Sequence, residues 1–335
     1  MMVFIYVTGS LLLLVLVLAL AVLVKQLVRL QKGNRRVQAE IAQARLDRLD
    51  DIGSVEELRV LPLVDYYADD PELRTEAGVS YLVSAGDTKI LLDVGFNKKK
   101  DHPSPLLHNM QALGISPDEL DALFISHLHL DHVGGMAEQR QGRFSLSQGK
   151  VELPPVPVYV PEPMVPSDWN PGPVPEVVTR PRRLAEGVAS IGVIPRNLFL
   201  LGYTREHSLA VNVRGKGIVL IIGCGHQTIE RILDRSQKLF DAPIYGIIGG
   251  LHYPVRGGRI MLGPVNLQNL VGGDRPPWRP IGQADVNRAI AAIKAVNPAF
   301  IALSPHDSSD WSLEQFATAF GDRCHDLRVG RSMRI

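Results

Sequence analysis

The chain has 335 residues, with 36 Lys and Arg against 35 Asp and Glu, for a net charge of +1. That balance gives no electrostatic case for nucleic acid as a partner. Two cysteines, Cys224 and Cys324, exclude a disulfide framework and a Cys-rich zinc finger, and the length suffices for one large domain with a sizeable core.

Met2 to Val24 carries no charge and is long enough, as a helix, to cross a hydrocarbon core of ~30 Å. Lys25, Arg29, Lys32, Arg35 and Arg36 follow at once, and no basic residue precedes the span. The positive-inside rule then predicts a single-pass anchor over 2–24 in an inner or plasma membrane, with everything after it cytoplasmic. The rival reading is a cleaved signal peptide. Against it stand the missing basic n-region, the missing small-x-small site and the position of the basic cluster. Residues 25–54 read as a charged helical connector with a loose apolar stripe at Val37, Ile41, Ala44, Leu46 and Leu49. A plain helical spacer is favoured there over a helix lying on the membrane. The globular domain is expected over 55–335.

Gly78–Val83 and Lys89–Asp93 read as two strands joined by the turn signal Ala85-Gly86-Asp87. Pro105 to Leu113 reads as a short helix stopped by Gly114. Next comes the densest cluster of chemistry in the chain, Ser126-His127-Leu128-His129-Leu130-Asp131-His132, preceded by the apolar run Leu123-Phe124-Ile125. Imidazole and carboxylate ligands suit zinc, and also iron or manganese. Residues two apart on an extended segment face the same way, so His127 and His129 can grip one ion. Asp131 and His132, at the start of a predicted helix, can point to a second.

Residues 154–181 hold ten of the 24 prolines. Val158–Val160 can form a short strand, and the remainder is excluded from a central sheet because proline removes ladder donors. Three further apolar strands then each run into a histidine: Gly217–Ile222 into His226, Pro243–Ile248 into His252, and Phe300–Leu303 into His306. With His127 this makes four strand tips bearing histidine, and ligands in α/β folds sit at the carboxyl ends of strands. Helices are predicted from a Thr228 cap to Phe240, over Ala284–Val296, and over Ser312–Phe320. The Gly/Pro/Arg-rich segment 254–282, directly after His252, is a candidate lid over the pocket.

The pattern His-x-His-x-Asp-His followed by Gly134-Gly135 resembles the metallo-β-lactamase superfamily. Leu107-His108-Asn109, Gly192–Arg196, Gly223-Cys224-Gly225-His226, Gly249–His252 and Ser304-Pro305-His306, in that order, resemble the branch of 7,8-dihydropterin-6-yl-methyl-4-(β-D-ribofuranosyl)aminobenzene 5′-phosphate synthases. The resemblance implies an α/β fold, the αββα metallo-β-lactamase sandwich, here preceded by one N-terminal transmembrane helix. It implies two divalent metal ions, Zn2+ first and Fe or Mn as alternatives. The implied ligands are His127, His129, Asp131, His132, His226 and His306. Asp131 would also be the catalytic group that orients a metal-bridging hydroxide. His207 is the alternative third ligand of the first ion, with the strand-tip position favouring His226. Cys224, His252 and Arg196 are possible substrate contacts or alternative ligands, and Arg196 is equally compatible with a structural ion pair. Leu130, Gly225 and Asp307-Ser308-Ser309 depart from that branch and leave the substrate open.

The activity implied is a membrane-anchored metal-dependent hydrolase acting on an ester or phosphodiester of a small-molecule or lipid-like substrate. The alternatives are a pterin-type synthase or transferase, and a non-catalytic metal-binding or redox member.

Overall fold

The computed structural model describes residues 2–49 and 51–335, with side chains from Ser10 onward. The anchor expectation therefore includes side chains, those of residues 2–9, outside the described residues, and the connector expectation includes Asp50, also outside them.

Two seven-stranded sheets stack face to face. In spatial order the first holds Met333–Arg334, Leu58–Val64, Ser80–Ala85, Thr88–Leu92, Ala122–Phe124, Pro157–Val160 and Val174–Val177. The second holds Cys324–Asp326, Phe300–Leu303, Ile244–Gly249, Gly217–Ile222, Leu209–Val213, Val188–Ser190 and Arg182–Ala185. The strand period of two sorts side chains between layers. Along Gly217–Ile222, Val219 and Ile221 face the other sheet and pack with Tyr81, Val83 and Phe124. Ile218, Leu220 and Ile222 face outward and pack under Ile229, Ile232, Val286, Ile293 and Phe316. On the first sheet Leu61, Leu91 and Leu123 face outward onto Leu106 and Met110. Three apolar interfaces separate four layers, helix, sheet, sheet and helix, as the resemblance implied.

The helices form close to where periodicity puts them, at Pro105–Ala112, Ile229–Leu239, Gln283–Val296 and Asp310–Phe320. One expectation fails locally. Thr228 occupies the N-cap position of Ile229–Leu239, but its φ is 74° and its side chain makes no capping bond. The proline-rich region contributes Pro157–Val160 beside Ala122–Phe124, and Val174–Val177 at the sheet edge, where a missing N–H costs no ladder bond. Segment 254–282 is folded: a hairpin pairs Met261–Leu262 with Val265–Asn266 and leads into the helix Leu267–Gly272.

The N-terminal helix runs unbroken from Met2 to Gln43. Its apolar part from Ser10 is long and apolar enough to cross a membrane by length and composition, and is fully exposed. The connector is not a free spacer. Its helical half docks on the hairpin of Ile194–Leu198 and Gly202–Glu206. Leu30 and Val37 are buried there, worth ~1.5–3 kcal/mol each by burial of apolar surface. Asn197 Nδ2 donates to the Leu30 carbonyl at 3.2 Å and to Asn34 Oδ1 at 3.1 Å. The Tyr203 hydroxyl donates to the Glu40 carboxylate, and the Arg36 guanidinium lies 4.1 Å from the Tyr203 ring centre. Beyond this helix Leu49 N donates to the Leu239 carbonyl and Ile52 is part of the core, so packed structure begins before residue 55.

Candidate metal centre

The tips of four strands from both sheets meet at one place. Ala122–Phe124 delivers His127, Gly217–Ile222 delivers His226, Ile244–Gly249 delivers His252, and Phe300–Leu303 delivers His306. The last three strands are adjacent and parallel, so their carboxyl ends share an edge. Gly225, at φ 75°, makes the turn into His226 possible. A Cβ there would lie 2.5 Å from the Gly250 carbonyl oxygen, closer than any side chain tolerates.

The rings pack edge to edge. Ring centres are 4.4 Å apart for His127 and His129, 4.2 Å for His127 and His132, 4.9 Å for His129 and His226, and 5.4 Å for His132 and His306. One ligand atom each from His127, His129 and His226 lie within 4.8 Å of one another, and the same holds for Asp131, His132 and His306. Cys224 comes equally close to His127 and His132 together, and to His226 and His252 together, so its thiol lies between the two groups.

Hydrogen bonds fix which nitrogen of each ring faces inward. The Ser126 hydroxyl donates to Asp93 Oδ2 at 2.7 Å and lies 3.0 Å from His127 Nδ1, whose proton it therefore accepts. His132 Nδ1 donates to the same Asp93 oxygen at 2.7 Å. The Ser304 hydroxyl donates to Asp65 Oδ2 at 2.6 Å and accepts from His306 Nδ1 at 2.6 Å. With Nδ1 engaged in this way, Nε2 of His127, His132 and His306 presents its lone pair to the cluster. Those three atoms, with His226 Nδ1 and His252 Nε2, are buried and have no hydrogen-bond partner. An orphaned buried polar atom costs ~1–3 kcal/mol; His252 Nε2 faces Gly272, and the other four, all on rings of the cluster, fit a bound cation.

The electrostatics agree with that fit. Burial, followed by neighbouring imidazoles, holds His127, His226 and His306 well below the usual histidine range, and His129 down at about 3. They are neutral, ligand-ready bases. For His132 burial works in the same direction, but the carboxylates of Asp131 and Asp93 outweigh it and push the pKa up to about 9. That position holds a positive charge, supplied by a proton or by a metal. Burial also raises Glu206 to about 7 and Asp307 to about 8.

His207 is placed elsewhere. Its Nε2 donates to the Ile125 carbonyl at 2.9 Å, its Nδ1 lies 3.0 Å from the Ser190 hydroxyl, and its ring stacks on Phe124 at 4.0 Å. Both nitrogens are engaged, and among the described residues it joins no ligand cluster. His207 and its charged neighbour Glu206 are both buried, and Glu206 Oε1 accepts from the backbone N–H groups of Cys224 and Gly225. His252 stands beside His226 with its Nδ1 3.3 Å from Cys224 Sγ. Arg196 pairs with Asp274 at 2.9 Å. Segment 254–282 walls the site instead of hanging free, since Gln268 Nε2 donates to the His306 carbonyl, Arg259 Nε to the Pro305 carbonyl, and Phe199 N to the Gly273 carbonyl.

The sequence placed Asp93 only as the last residue of a predicted strand, and assigned no role to Asp65, Glu206 and Asp307. Asp65 follows the apolar strand end Leu63-Val64, the one local signal; Glu206 lies between Arg205 and His207, and Asp307 between His306 and Ser308, so neither stands out from its neighbours.

A model of the metallo-β-lactamase superfamily matches residues 73–141, the segment that carries His127 to His132. Tm1679, a metal-dependent hydrolase of the β-lactamase superfamily, superposes with a TM-score of 0.56 over 83% of this chain and 99% of its own, at 18% identity. The fold is that of the metallo-β-lactamase superfamily. Within it the chain is similar to the 7,8-dihydropterin-6-methyl-4-(β-D-ribofuranosyl)-aminobenzene-5′-phosphate synthase of Methanocaldococcus jannaschii, 25% identical over 247 residues, which is 61% of this chain and 80% of that protein. A shorter stretch is 32% identical over 91 residues to Ribonuclease Z of Mycolicibacterium gilvum, 27% of this chain and 28% of that one. These relatives are enzymes.

Proposed function

We propose that this chain is a membrane-anchored, metal-dependent hydrolase acting on an ester or phosphodiester. The observation that carries the reading is the set of four buried imidazole nitrogens, on His127, His132, His226 and His306, that lie in the cluster without partners. His127, His129 and His226 would hold one ion, and Asp131, His132 and His306 the other. Cys224 lies between the two groups. An imidazole-rich set with one carboxylate suits Zn2+ first, and Fe or Mn next. Bound there, two divalent ions supply Lewis acidity that acidifies a water and polarises the attacked centre.

The chain's own groups do the rest. Asp93 and Asp65, through Ser126 and Ser304, hold three rings in one tautomer and orientation. Asp131, at the rim of the cluster, accepts a proton from the attacking water and aims it. The similarity to a ribonuclease supports a phosphodiester.

The second reading is a pterin-type synthase or transferase, favoured by the longer similarity to the synthase. The anchor is supported by the exposed apolar helix and by Leu200 and Leu201, exposed at the hairpin turn that lines a cavity with Gln26 and Arg29, just past the span. The basic cluster after Val24 supports a cytoplasmic domain.

Metal analysis of the full chain in detergent, with ester and phosphodiester panels before and after chelation, tests the reading. About two divalent ions per chain and chelator-sensitive hydrolysis are expected. A metal-free wild-type protein would refute it, and turnover only with a pterin-type acceptor would move the assignment to the synthase. A C-terminal tag should be shielded from impermeant reagents in intact cells; labelling from outside reverses the orientation.

A further inference from the structure

A cavity of about 370 Å³ opens beside His226 and His252, lined by Thr228, Arg231, Tyr253 and Arg196 among others. Its charges do not balance. Arg196, Arg231, Arg275 and Arg288 face Glu230, Asp274 and Asp285. Arg196 takes Asp274 at 2.9 Å, and Arg275 takes Asp285 at 2.7 Å with Arg288 on its other oxygen. The Arg231 side chain makes no hydrogen bond or ion pair among the described residues, with Asp274 and Glu230 acting on it only at longer range. Its Nη1 is buried without a partner, although it is a group that always carries charge. Burial first, and then the like charge of Arg196, pull its pKa below the ordinary arginine value. Both penalties would be relieved by an anion.

A second feature points the same way. Arg231 sits in the first turn of the eleven-residue helix Ile229–Leu239, and Thr228 before it makes no capping bond. The first N–H groups of that helix therefore lack the side-chain acceptor that usually covers them, and the Thr228 hydroxyl is free to donate. The loop from Gly223 through His226 leads directly into this turn, so the helix start and the metal cluster share one wall.

We propose that Arg231, with Arg196 and Thr228, seats a phosphate group of the substrate beside the metal centre. The inference rests on the hydrolase reading and deepens it: the substrate is a phosphorylated molecule whose non-reacting phosphate is gripped here while the scissile bond lies over the histidines. A guanidinium fork serves a carboxylate and a phosphate alike; the added hydroxyl and helix start supply donors for further oxygens, which a phosphate has and a carboxylate lacks.

The test uses the full chain in detergent, stripped of metal by chelation, so that phosphate capture by the metals does not contribute. Binding of inorganic phosphate and of phenyl phosphate is measured by titration calorimetry, with acetate as the carboxylate arm. Wild type should bind both phosphates and bind acetate more weakly. Arg231→Met should weaken phosphate by about tenfold or more, the usual value of a charge-assisted contact, and Arg231→Lys should retain part of it. Unchanged phosphate affinity in a folded Arg231→Met protein, or no phosphate binding by wild type, overturns the proposal; acetate binding as tightly as phosphate overturns the phosphate assignment. If Arg231→Met does not fold, Thr228→Val gives the same reading on the neighbouring donor, with a smaller expected loss. Metal content of the untreated wild type reports separately on the hydrolase reading.

Discussion

His127 and His207 are both fully buried, and both lie beside the strand Ala122–Phe124. They differ in what their nitrogens touch. His207 has a partner on each nitrogen, Ser190 and the Ile125 carbonyl, and a stacked phenyl ring besides. His127 has Ser126 on Nδ1 and nothing on Nε2. Burial therefore does not separate a structural histidine from a ligand in this fold; what each nitrogen faces does, since His129, with Thr204 on Nε2, turns Nδ1 to His226 Nε2 at 3.2 Å, another ring of the cluster. A histidine with one nitrogen oriented by the protein and the other bare or facing a second ring of the cluster is arranged for a cation, whereas one bonded through both nitrogens to a carbonyl and a hydroxyl outside it stabilises the packing between sheets.

The largest effect expected from this contrast is in the His127→Ala/His129→Ala double variant, which should lose metal and activity together; full metal occupancy in that folded protein would break the contrast at its strongest point. His226→Ala should empty one of two sites, and His207→Ala should keep both. The opposite pair of metal contents would transfer the ligand role to His207.

Next in size is Asp93→Asn. It leaves all six proposed ligands in place but weakens the acceptor that orients His132 and, through Ser126, His127. Metal affinity or activity should fall by ~10–100-fold, the usual cost of losing an outer partner of a ligand. An affinity equal to wild type in a competition titration would show that packing alone sets those rings.

His207→Ala should instead appear as instability, ~1–3 kcal/mol from orphaning the Ile125 carbonyl, read from denaturant midpoints with metal content unchanged. The smallest effect is in acid. Burial holds His207 down at about 3, against an ordinary value near ~6.5. The unfolded chain thus binds a proton that the folded one refuses between those limits. The stabilisation from this ring is complete above ~6.5 and is lost as pH falls toward 3. Denaturant midpoints from pH 7 to 5 should fall less steeply in His207→Ala than in wild type, and an identical slope would assign the acid sensitivity to the cluster alone.

The N-terminal helix offers a parallel lesson within one element. Its charge-free stretch was legible at once, because a run of apolar residues needs no partner to be recognised. The docking of its second half was not: Leu30 and Val37 are buried by a hairpin more than 150 residues away, and Asn197 and Tyr203 complete the contact from there. Read alone, the stripe in residues 25–54 gave a spacer.

The same boundary runs through the site. The sequence by itself determined the four strand tips bearing histidine and the His-x-His-x-Asp-His cluster, since strand period and local spacing act between near neighbours, and the layered sandwich followed from the resemblance that those motifs carry. Only the tertiary structure decided that His226 and not His207 joins the cluster, that Asp93 and Asp65 aim the rings, and that the Arg231 side chain is left without an ion pair. Those outcomes depend on which groups meet across 30 to 240 positions of chain, and a hydrogen-bond partner or a missing one leaves no periodic trace in the residues on either side of it.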